Sequence, residues 1–284
     1  AGGKLLNLNT EVIQNAMGLN VSQIAGSQQF LENGSWNKRF HTGLTPHNSI
    51  LSLVMAQNGY LGASDPIEGK FGYFNLYAES EISDFSIFDT YGIDFEVMNT
   101  AVKPYPCCRF SHATIDAVLD ITRSNNINYS DISNIDISMG KTGYDMVGYS
   151  SEFPTNTVEA QFSAYFAAAV AAIKGEYLWD SYQLIGDKTL EQVMGKVNVS
   201  QKMFDHEMQS NISVTTNNGE TYEQNVEYPK GEPENPVSWT DTRNKFFGLA
   251  QPLVGDEKAE AIYEFVYNLE SKQSMREINS LLIP

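Results

Sequence analysis

A short basic stretch of the chain carries Lys103, Arg109 and His112, three side chains that can hold an anion. Pro104 and Pro106 stiffen the backbone between them, because proline fixes its own φ and favours an extended conformation in the residue before it. The lysine is therefore predicted to be presented from a constrained segment. A group of cations of this kind suits a carboxylate or phosphate ligand.

The residues that follow are predicted to form a helix with Ser111 as its N-cap. Its inward positions recur at i, i+3, i+4 and i+7, and they are Ile115, Val118, Leu119 and Thr122. The N-terminus of a helix favours anions, because its unpaired N–H groups and its dipole both present positive charge. A simpler interpretation stays open, namely a solvated loop with a basic rim and two buried cysteines.

A second cationic group lies nearer the N-terminus. It consists of Lys38, Arg39 and His41. Thr45 followed by Pro46 is typical of an N-cap and a first helical position, so the group is predicted to lie in a loop just before a helix. The arrangement repeats that of the first stretch, and it favours a second anion site over a solvated turn.

The composition excludes several function classes. The formal net charge of −17 argues against nucleic acid as a partner, because phosphate binding needs an excess of Lys and Arg. No apolar run approaches the length of a membrane span, so no membrane association is expected. The only two cysteines are adjacent, which favours reduced thiols and a cytoplasmic location. No cluster has metal-ligand spacing, so we expect no metal.

The periodicity of apolar residues predicts an α+β protein. A period of two predicts a strand over residues 132–139, and Asn217-Asn218-Gly219 predicts a hairpin turn between strands 211–216 and 221–226. A further short strand is predicted over residues 196–199. The predicted helices cover residues 4–19, 45–59, 82–98, 112–122, 157–173, 188–194, 241–250, 257–269 and 275–282.

Several motifs, taken in order, resemble those of one known family. Residues 103–120 match its KPYP-C-x-x-x-H-x-x-x-DA segment, and residues 34–43 match its G-x-x-x-KR-h-H-x-G segment. Shorter matches occur at residues 68–74 and 159–165, and at Glu234-Asn235-Pro236 together with Lys245-Phe246. By these motifs the chain resembles the MmgE/PrpD family over nearly its whole length.

The resemblance implies a mainly helical domain with an inserted α+β lid, divided as residues 1–125, 126–229 and 230–284. It also implies that the N-terminal part of the family's usual helical domain is missing from this sequence. The expected partners are therefore a second copy of the chain, forming a homodimer, or another chain that supplies this segment. If apolar helical faces are left uncovered, such association would cover them.

The resemblance implies a cofactor-independent enzyme that acts on short di- or tricarboxylates. A lyase of the 2-methylcitrate dehydratase type is the leading expectation. The alternatives are decarboxylation of cis-aconitate, epimerisation of iminodisuccinate, or a non-catalytic carboxylate-binding remnant. Each reaction needs cations to hold carboxylates and a group that moves a proton.

The site roles follow from the same resemblance. Lys38, Lys103 and Tyr149 are expected to converge as catalytic residues on a cleft between the helical domain and the lid. The side chains expected to bind substrate carboxylates are Arg39, His41, Arg109 and His112.

Overall fold

The computed structural model describes residues 1–32, 34–78, 82 and 84–283, and of residue 87 the backbone alone. The chain forms two compact units, residues 1–95 and 96–284. Within the described part, none of the helices combines the length and the apolar composition that a membrane crossing requires.

The first unit is helical. Its α-helices are α1 (Gly2–Leu5), α2 (Thr10–Val21), α3 (Asn37–Gln57) and α4 (Tyr73–Tyr77), and 3-10 turns occur at Gln29–Glu32 and Ser86–Phe88. Helices α2 and α3 pack through a small core of Ala16, Leu53 and Ala56. The small side chains at this contact allow the two helices to approach closely.

Three predictions for this unit are wrong in detail. The helix expected over residues 4–19 is interrupted at Asn7, whose φ is 53°, and it restarts where the Asn9 side chain accepts a hydrogen bond from the Val12 N–H at 2.9 Å. Residues 82–98 form short 3-10 turns, other turns and an isolated bridge between Tyr91 and Asp94 where they are described. Helix α3 begins eight positions before Thr45, at Asn37, and contains Pro46 in its interior.

Pro46 has no backbone N–H, so helix α3 loses one backbone hydrogen bond there, and neighbouring hydroxyls add side-chain hydrogen bonds to the helix backbone. The Thr45 hydroxyl donates to the His41 carbonyl at 3.0 Å, and the Ser49 hydroxyl donates to the Thr45 carbonyl at 2.9 Å. The proline therefore lies inside a helix of 21 residues and does not start it.

The second unit contains the sheet and the remaining helices. Its α-helices are α5 (His112–Ser124), α6 (Lys141–Gly143), α7 (Thr157–Gln161), α8 (Ala164–Lys174), α9 (Lys188–Met194), α10 (Trp239–Val254), α11 (Asp256–Tyr267) and α12 (Asn279–Leu282). Short 3-10 turns lie at Glu96–Asn99, Arg109–Ser111, Tyr129–Asp131, Trp179–Leu184, Leu269–Ser271 and Met275–Ile278, and a π-helical turn at Tyr144–Gly148.

Among the described residues, four strands form one mixed sheet in the order β2-β1-β3-β4. They are β1 (Ile132–Met139), β2 (Val197–Gln201), β3 (Ser210–Thr216) and β4 (Thr221–Val226). Strand β1 pairs in parallel with β2 and antiparallel with β3, and β3 and β4 form the hairpin that the Asn217-Asn218-Gly219 turn predicts. The predicted α+β class is confirmed.

Helices α5 and α8 and the sheet share one hydrophobic core. The alanine-rich helix α8 is buried along most of its length, and Ile135, Ile137 and Val214 of the sheet are fully or almost fully buried. The single helix predicted over residues 157–173 is two helices, because Ser163 caps α8 by accepting a hydrogen bond from the Phe166 N–H at 3.1 Å. Helix α5 shares this core with the sheet, and the division of the chain at residues 125 and 229 stays a prediction.

Candidate functional site

The basic stretch of residues 103–112, called here the cation loop, leads into helix α5 through the 3-10 turn Arg109–Ser111. Ser111 precedes the helix as predicted, but its hydroxyl is buried and makes no capping hydrogen bond. The reason is local geometry: Ser111 has φ −88° and ψ −8°, whereas a capping side chain requires an extended residue.

At the start of the cation loop, the ammonium group of one lysine contacts the backbone of another. The Lys103 ammonium donates to the Cys107 carbonyl at 3.0 Å, and the Lys245 ammonium, from helix α10, donates to the Lys103 carbonyl. Burial lowers the pKa of Lys245, and repulsion from the charge of Lys103 lowers this pKa further. The pair therefore forms a concentration of positive charge that an anion would stabilise.

Arg109 is held by an internal network. Its guanidinium forms an ion pair with Glu232, in which both side chains are mostly buried, and donates to the Lys230 carbonyl at 3.1 Å. It also donates to Nδ1 of His112 at 2.8 Å. Because Arg109 is engaged with Glu232, the structure gives it a role in holding the loop to residues 230–232.

His112 is fully buried and neutral. Burial, followed by repulsion from Arg109 and Lys103, lowers its pKa to about 2. A guanidinium can only donate, so Nδ1 of His112 must accept and the proton of the neutral ring is on Nε2. His112 therefore supplies no positive charge to a ligand, which differs from the cationic role expected from the sequence.

Gln161 and Tyr182 hold the proline-containing part of the loop. The Pro106 carbonyl accepts hydrogen bonds from Nε2 of Gln161 at 3.1 Å and from the Tyr182 hydroxyl at 2.7 Å. The Cys108 N–H donates to the Gln161 carbonyl at 2.8 Å. These contacts immobilise the loop before any ligand arrives, which lowers the entropic cost of binding.

Asp116 connects the loop to the segment after the sheet. It accepts hydrogen bonds from the Tyr105 hydroxyl at 2.6 Å and from the Lys230 N–H at 2.7 Å. Burial raises the pKa of Asp116. Next to this contact the Val102 N–H donates to the Gly231 carbonyl at 2.7 Å, so the two segments run against each other.

A cavity of about 610 Å³ opens beside the cation loop. Its walls come from the loop, from the turn Trp179–Leu184 and from helix α10. The residues that line it are Pro104, Pro106, Leu178, Trp179, Asp180, Tyr182, Gln183, Lys245, Gly248, Leu249 and Pro252. Most of these lining residues are apolar, and Lys245 is the basic residue among them.

Tyr149 follows directly after the π-helical turn Tyr144–Gly148, with a side chain that is 54% exposed. A tyrosine in this position is accessible to a ligand. Its role as a proton donor stays a prediction.

The second cationic group lies in the first unit, in the first turns of helix α3. Lys38 and Arg39 are exposed, and the Arg39 guanidinium lies 5.4 Å from the centroid of the Trp36 ring. The His41 ring packs edge-on against Phe30, with 6.2 Å between ring centroids. The convergence of Lys38 with Lys103 and Tyr149, and the carboxylate-binding roles of Arg39 and His41, stay predictions.

Sequence reasoning assigned no role to three residues that organise the site: Lys245, Glu232 and Asp116. Lys245 and Asp116 both lie in the quoted motifs, which was the available signal. Glu232 lies in the Gly/Pro-rich segment after the sheet, and its pairing with Arg109 spans 123 positions. No local pattern indicates a contact of that length.

These features define an α+β protein in which a mixed sheet is backed by helices and a hydrogen-bonded cationic loop leads into one of them, helix α5. Two family models match this chain: the MmgE/PrpD N-terminal domain over residues 1–85 and the MmgE/PrpD C-terminal domain over residues 105–271. The chain belongs to the MmgE/PrpD family, as its motifs predict.

The curated relatives that match are similar along nearly the whole chain. The "Cis-aconitate decarboxylase-like protein oryM" of Aspergillus oryzae is 24% identical over 305 residues, covering 99% of this chain and 62% of the relative. Cis-aconitate decarboxylase of Aspergillus terreus is 22% identical over 306 residues, covering 99% and 61%. Cis-aconitate decarboxylase of Mus musculus is 22% identical over 295 residues, covering 99% and 59%. The chain thus spans about three-fifths of the length of these relatives.

Proposed function

We propose that this chain belongs to a lyase that acts on a short tricarboxylate without a metal or an organic cofactor. Two reactions are candidates: loss of carbon dioxide from a cis-aconitate-like acid, and loss of water from a 2-methylcitrate-like hydroxy acid. The names of the relatives favour the first. The motif resemblance motivates the second, and the cation loop suits both.

The two reactions share one electronic requirement. In decarboxylation a C–C bond breaks, the electron pair stays on the substrate as a carbanion delocalised toward a neighbouring carboxylate, and a proton is then added to carbon. In dehydration a proton leaves the carbon next to a carboxylate, and hydroxide departs with a proton supplied by the enzyme. Both routes build negative charge beside existing carboxylates, so fixed cations stabilise the transition state.

The observation that carries the proposal is that the Lys245 ammonium of helix α10 binds the Lys103 backbone carbonyl, on an immobilised loop that also carries the Lys103 ammonium. We assign these two ammonium groups to the substrate carboxylates. Tyr149 is assigned to proton transfer, and Lys38 keeps its predicted catalytic role. Arg109 and His112 act through the loop: the first holds it to Glu232, and the second is a buried neutral support.

Calorimetry tests the binding step. We expect the purified chain to bind citrate and cis-aconitate, and not the triamide of citrate, with the same affinity before and after treatment with a chelator. Equal binding of the amide would remove the argument for an anion site.

Proton NMR of the incubated acids tests the chemistry. Formation of a decarboxylated product from cis-aconitate supports the first reaction, and formation of an alkene from 2-methylcitrate supports the second. Specific binding without turnover of either acid would instead favour a carboxylate-binding role for this chain.

A further inference from the structure

The cavity beside the cation loop is larger and more apolar than a short tricarboxylate requires. Its volume of about 610 Å³ lies within the range of pockets that hold ligands of drug-like size, roughly 300–1,000 Å³. A citrate-sized acid is polar over most of its surface and gains little from walls made of proline, leucine and tryptophan. The apolar walls therefore point to a part of a ligand that is not carboxylate.

The apolar side chains around the cavity are partly open to solvent. Leu178, Trp179 and Leu249 are 38%, 49% and 40% exposed, and they come from two elements that are distant in the sequence. Tyr182 lies among them with its hydroxyl donating to the Pro106 carbonyl, so that hydroxyl is already satisfied. Exposed apolar groups that share one concave surface are typical of a binding site.

The cavity lining carries one acidic and one basic residue, and they lie on different elements. Asp180, on the turn Trp179–Leu184, accepts a hydrogen bond from the Lys174 ammonium at 2.7 Å, and that ammonium also lies 3.6 Å from Glu176. Lys245, on helix α10, donates to the Lys103 carbonyl. The edge next to the cation loop is therefore cationic, while most of the remaining walls are apolar.

We propose that this cavity binds the apolar chain of an alkyl-substituted di- or tricarboxylate, whose carboxylates lie at the edge formed by Lys245 beside the cation loop. The inference rests on the proposed function for the position of the carboxylates, and it adds the substrate class: an acid with a carboxylate head and an aliphatic chain. The cavity then sets specificity for the length of that chain.

Helix α10 shows how the space is kept open. Lys245, Gly248, Leu249 and Pro252 line the cavity at i, i+3, i+4 and i+7, so one face of the helix forms a wall. A Cβ built at Gly248 meets no atom within 4 Å. A Cβ at position 248 therefore fits without displacing a neighbour, and a longer side chain there would start from the wall of the cavity.

The test is calorimetric titration of the purified chain with succinate, methylsuccinate, butylsuccinate and octylsuccinate, with citrate titrated in parallel. Affinity should rise roughly fourfold for each added methylene until the cavity is filled, since burial of a methylene contributes about 0.8 kcal/mol. Gly248→Leu should remove this gain and leave methylsuccinate and citrate unchanged. Gly248→Ala controls for the change in helix propensity, because it adds one methyl group and leaves most of the cavity open.

A second variant keeps the test decisive if Gly248→Leu is poorly folded. Trp179→Ala removes one wall at a half-exposed position, and it should weaken octylsuccinate by about tenfold or more without changing citrate. Circular dichroism melts of each variant separate loss of fold from loss of the wall.

The outcomes distinguish the two proposals. If citrate binds and affinity does not depend on chain length, the cavity inference is overturned and the proposed function stands. If octylsuccinate binds in a manner that Gly248→Leu abolishes, while citrate does not bind, the tricarboxylate proposal fails and the cavity remains a site for aliphatic acids. Loss of octylsuccinate affinity as protein concentration rises would show that a second copy occupies the cavity, and would overturn the inference.

Discussion

Gly231 offers the sharpest test of how the cation loop is held. Its φ is +96°, and a Cβ at this position would lie 1.9 Å from the Val102 carbonyl oxygen. Gly231→Ala therefore combines two costs. The left-handed backbone costs an alanine roughly 1–2 kcal/mol. The clash involves backbone on both sides, so the segments at residues 102 and 231 must separate.

Separation breaks the hydrogen bond from the Val102 N–H to the Gly231 carbonyl, now 2.7 Å long, at a cost of about 1 kcal/mol. It also displaces the neighbouring residues Lys230 and Glu232, which bind Arg109 and would leave that charge poorly compensated. We expect the free energy of unfolding to fall by about 3–5 kcal/mol in total. Urea titration followed by far-ultraviolet circular dichroism measures it.

Gly219→Ala is the matched control. Gly219 lies in the β3–β4 turn with φ +88°, but a Cβ there meets nothing within 4 Å. Only the backbone cost applies, so the loss should be roughly 1–2 kcal/mol. The same loss of stability in both variants would refute the claim that the contact between residues 102 and 231 fixes the loop.

Three further predictions concern charge, pH and assembly. Lys103→Met should weaken citrate binding by about 2 kcal/mol, or roughly 30-fold. Lys141→Met should leave citrate binding unchanged, because Lys141 pairs with Asp145 on the surface. Calorimetry that finds unchanged affinity in Lys103→Met would contradict the site. Because the pKa of His112 is lowered to about 2, protonation below about pH 6.5 favours the unfolded chain. The free energy of unfolding should therefore fall by about 1.4 kcal/mol per pH unit from pH 6 to 5. Urea titration of His112→Gln should find this slope missing. The chain should self-associate at low micromolar concentration, since Ile50, Leu51 and Val54 of helix α3 are 59%, 44% and 46% exposed. A stable monomer in light scattering would count against this.

The sequence predicts best where structure depends on near neighbours. The hairpin at Asn217-Asn218-Gly219 and helix α9, Lys188–Met194, form as expected because turn chemistry and capping act within a few residues. Helix α3 shows the limit of such rules. Thr45 and Pro46 are typical of a helix start, yet the helix continues through them, because tertiary packing and side-chain hydrogen bonds outweigh the loss of one backbone bond.

The candidate site was predictable in its residue types and not in its electrostatics. The motifs indicate Lys103, Arg109 and His112 as one cationic group. Whether each keeps its charge for a ligand depends on burial and on partners more than a hundred positions away, as with Arg109 and Glu232. His112 becomes neutral because the fold excludes water from it, and no sequence spacing expresses that exclusion.

The hydrogen bonds that immobilise the cation loop also impose an order on its assembly. The loop is held by Gln161, Tyr182, the segment 230–232 and Lys245, and the last of these contacts spans 142 positions. During synthesis on the ribosome the loop is made long before Lys245 leaves the exit tunnel, so it cannot take its final form until nearly all of the second unit has emerged. Contacts of this separation form late in folding. A tricarboxylate bound at this loop would then recognise only completed molecules, and it would protect them from proteolysis by lowering the population of opened forms.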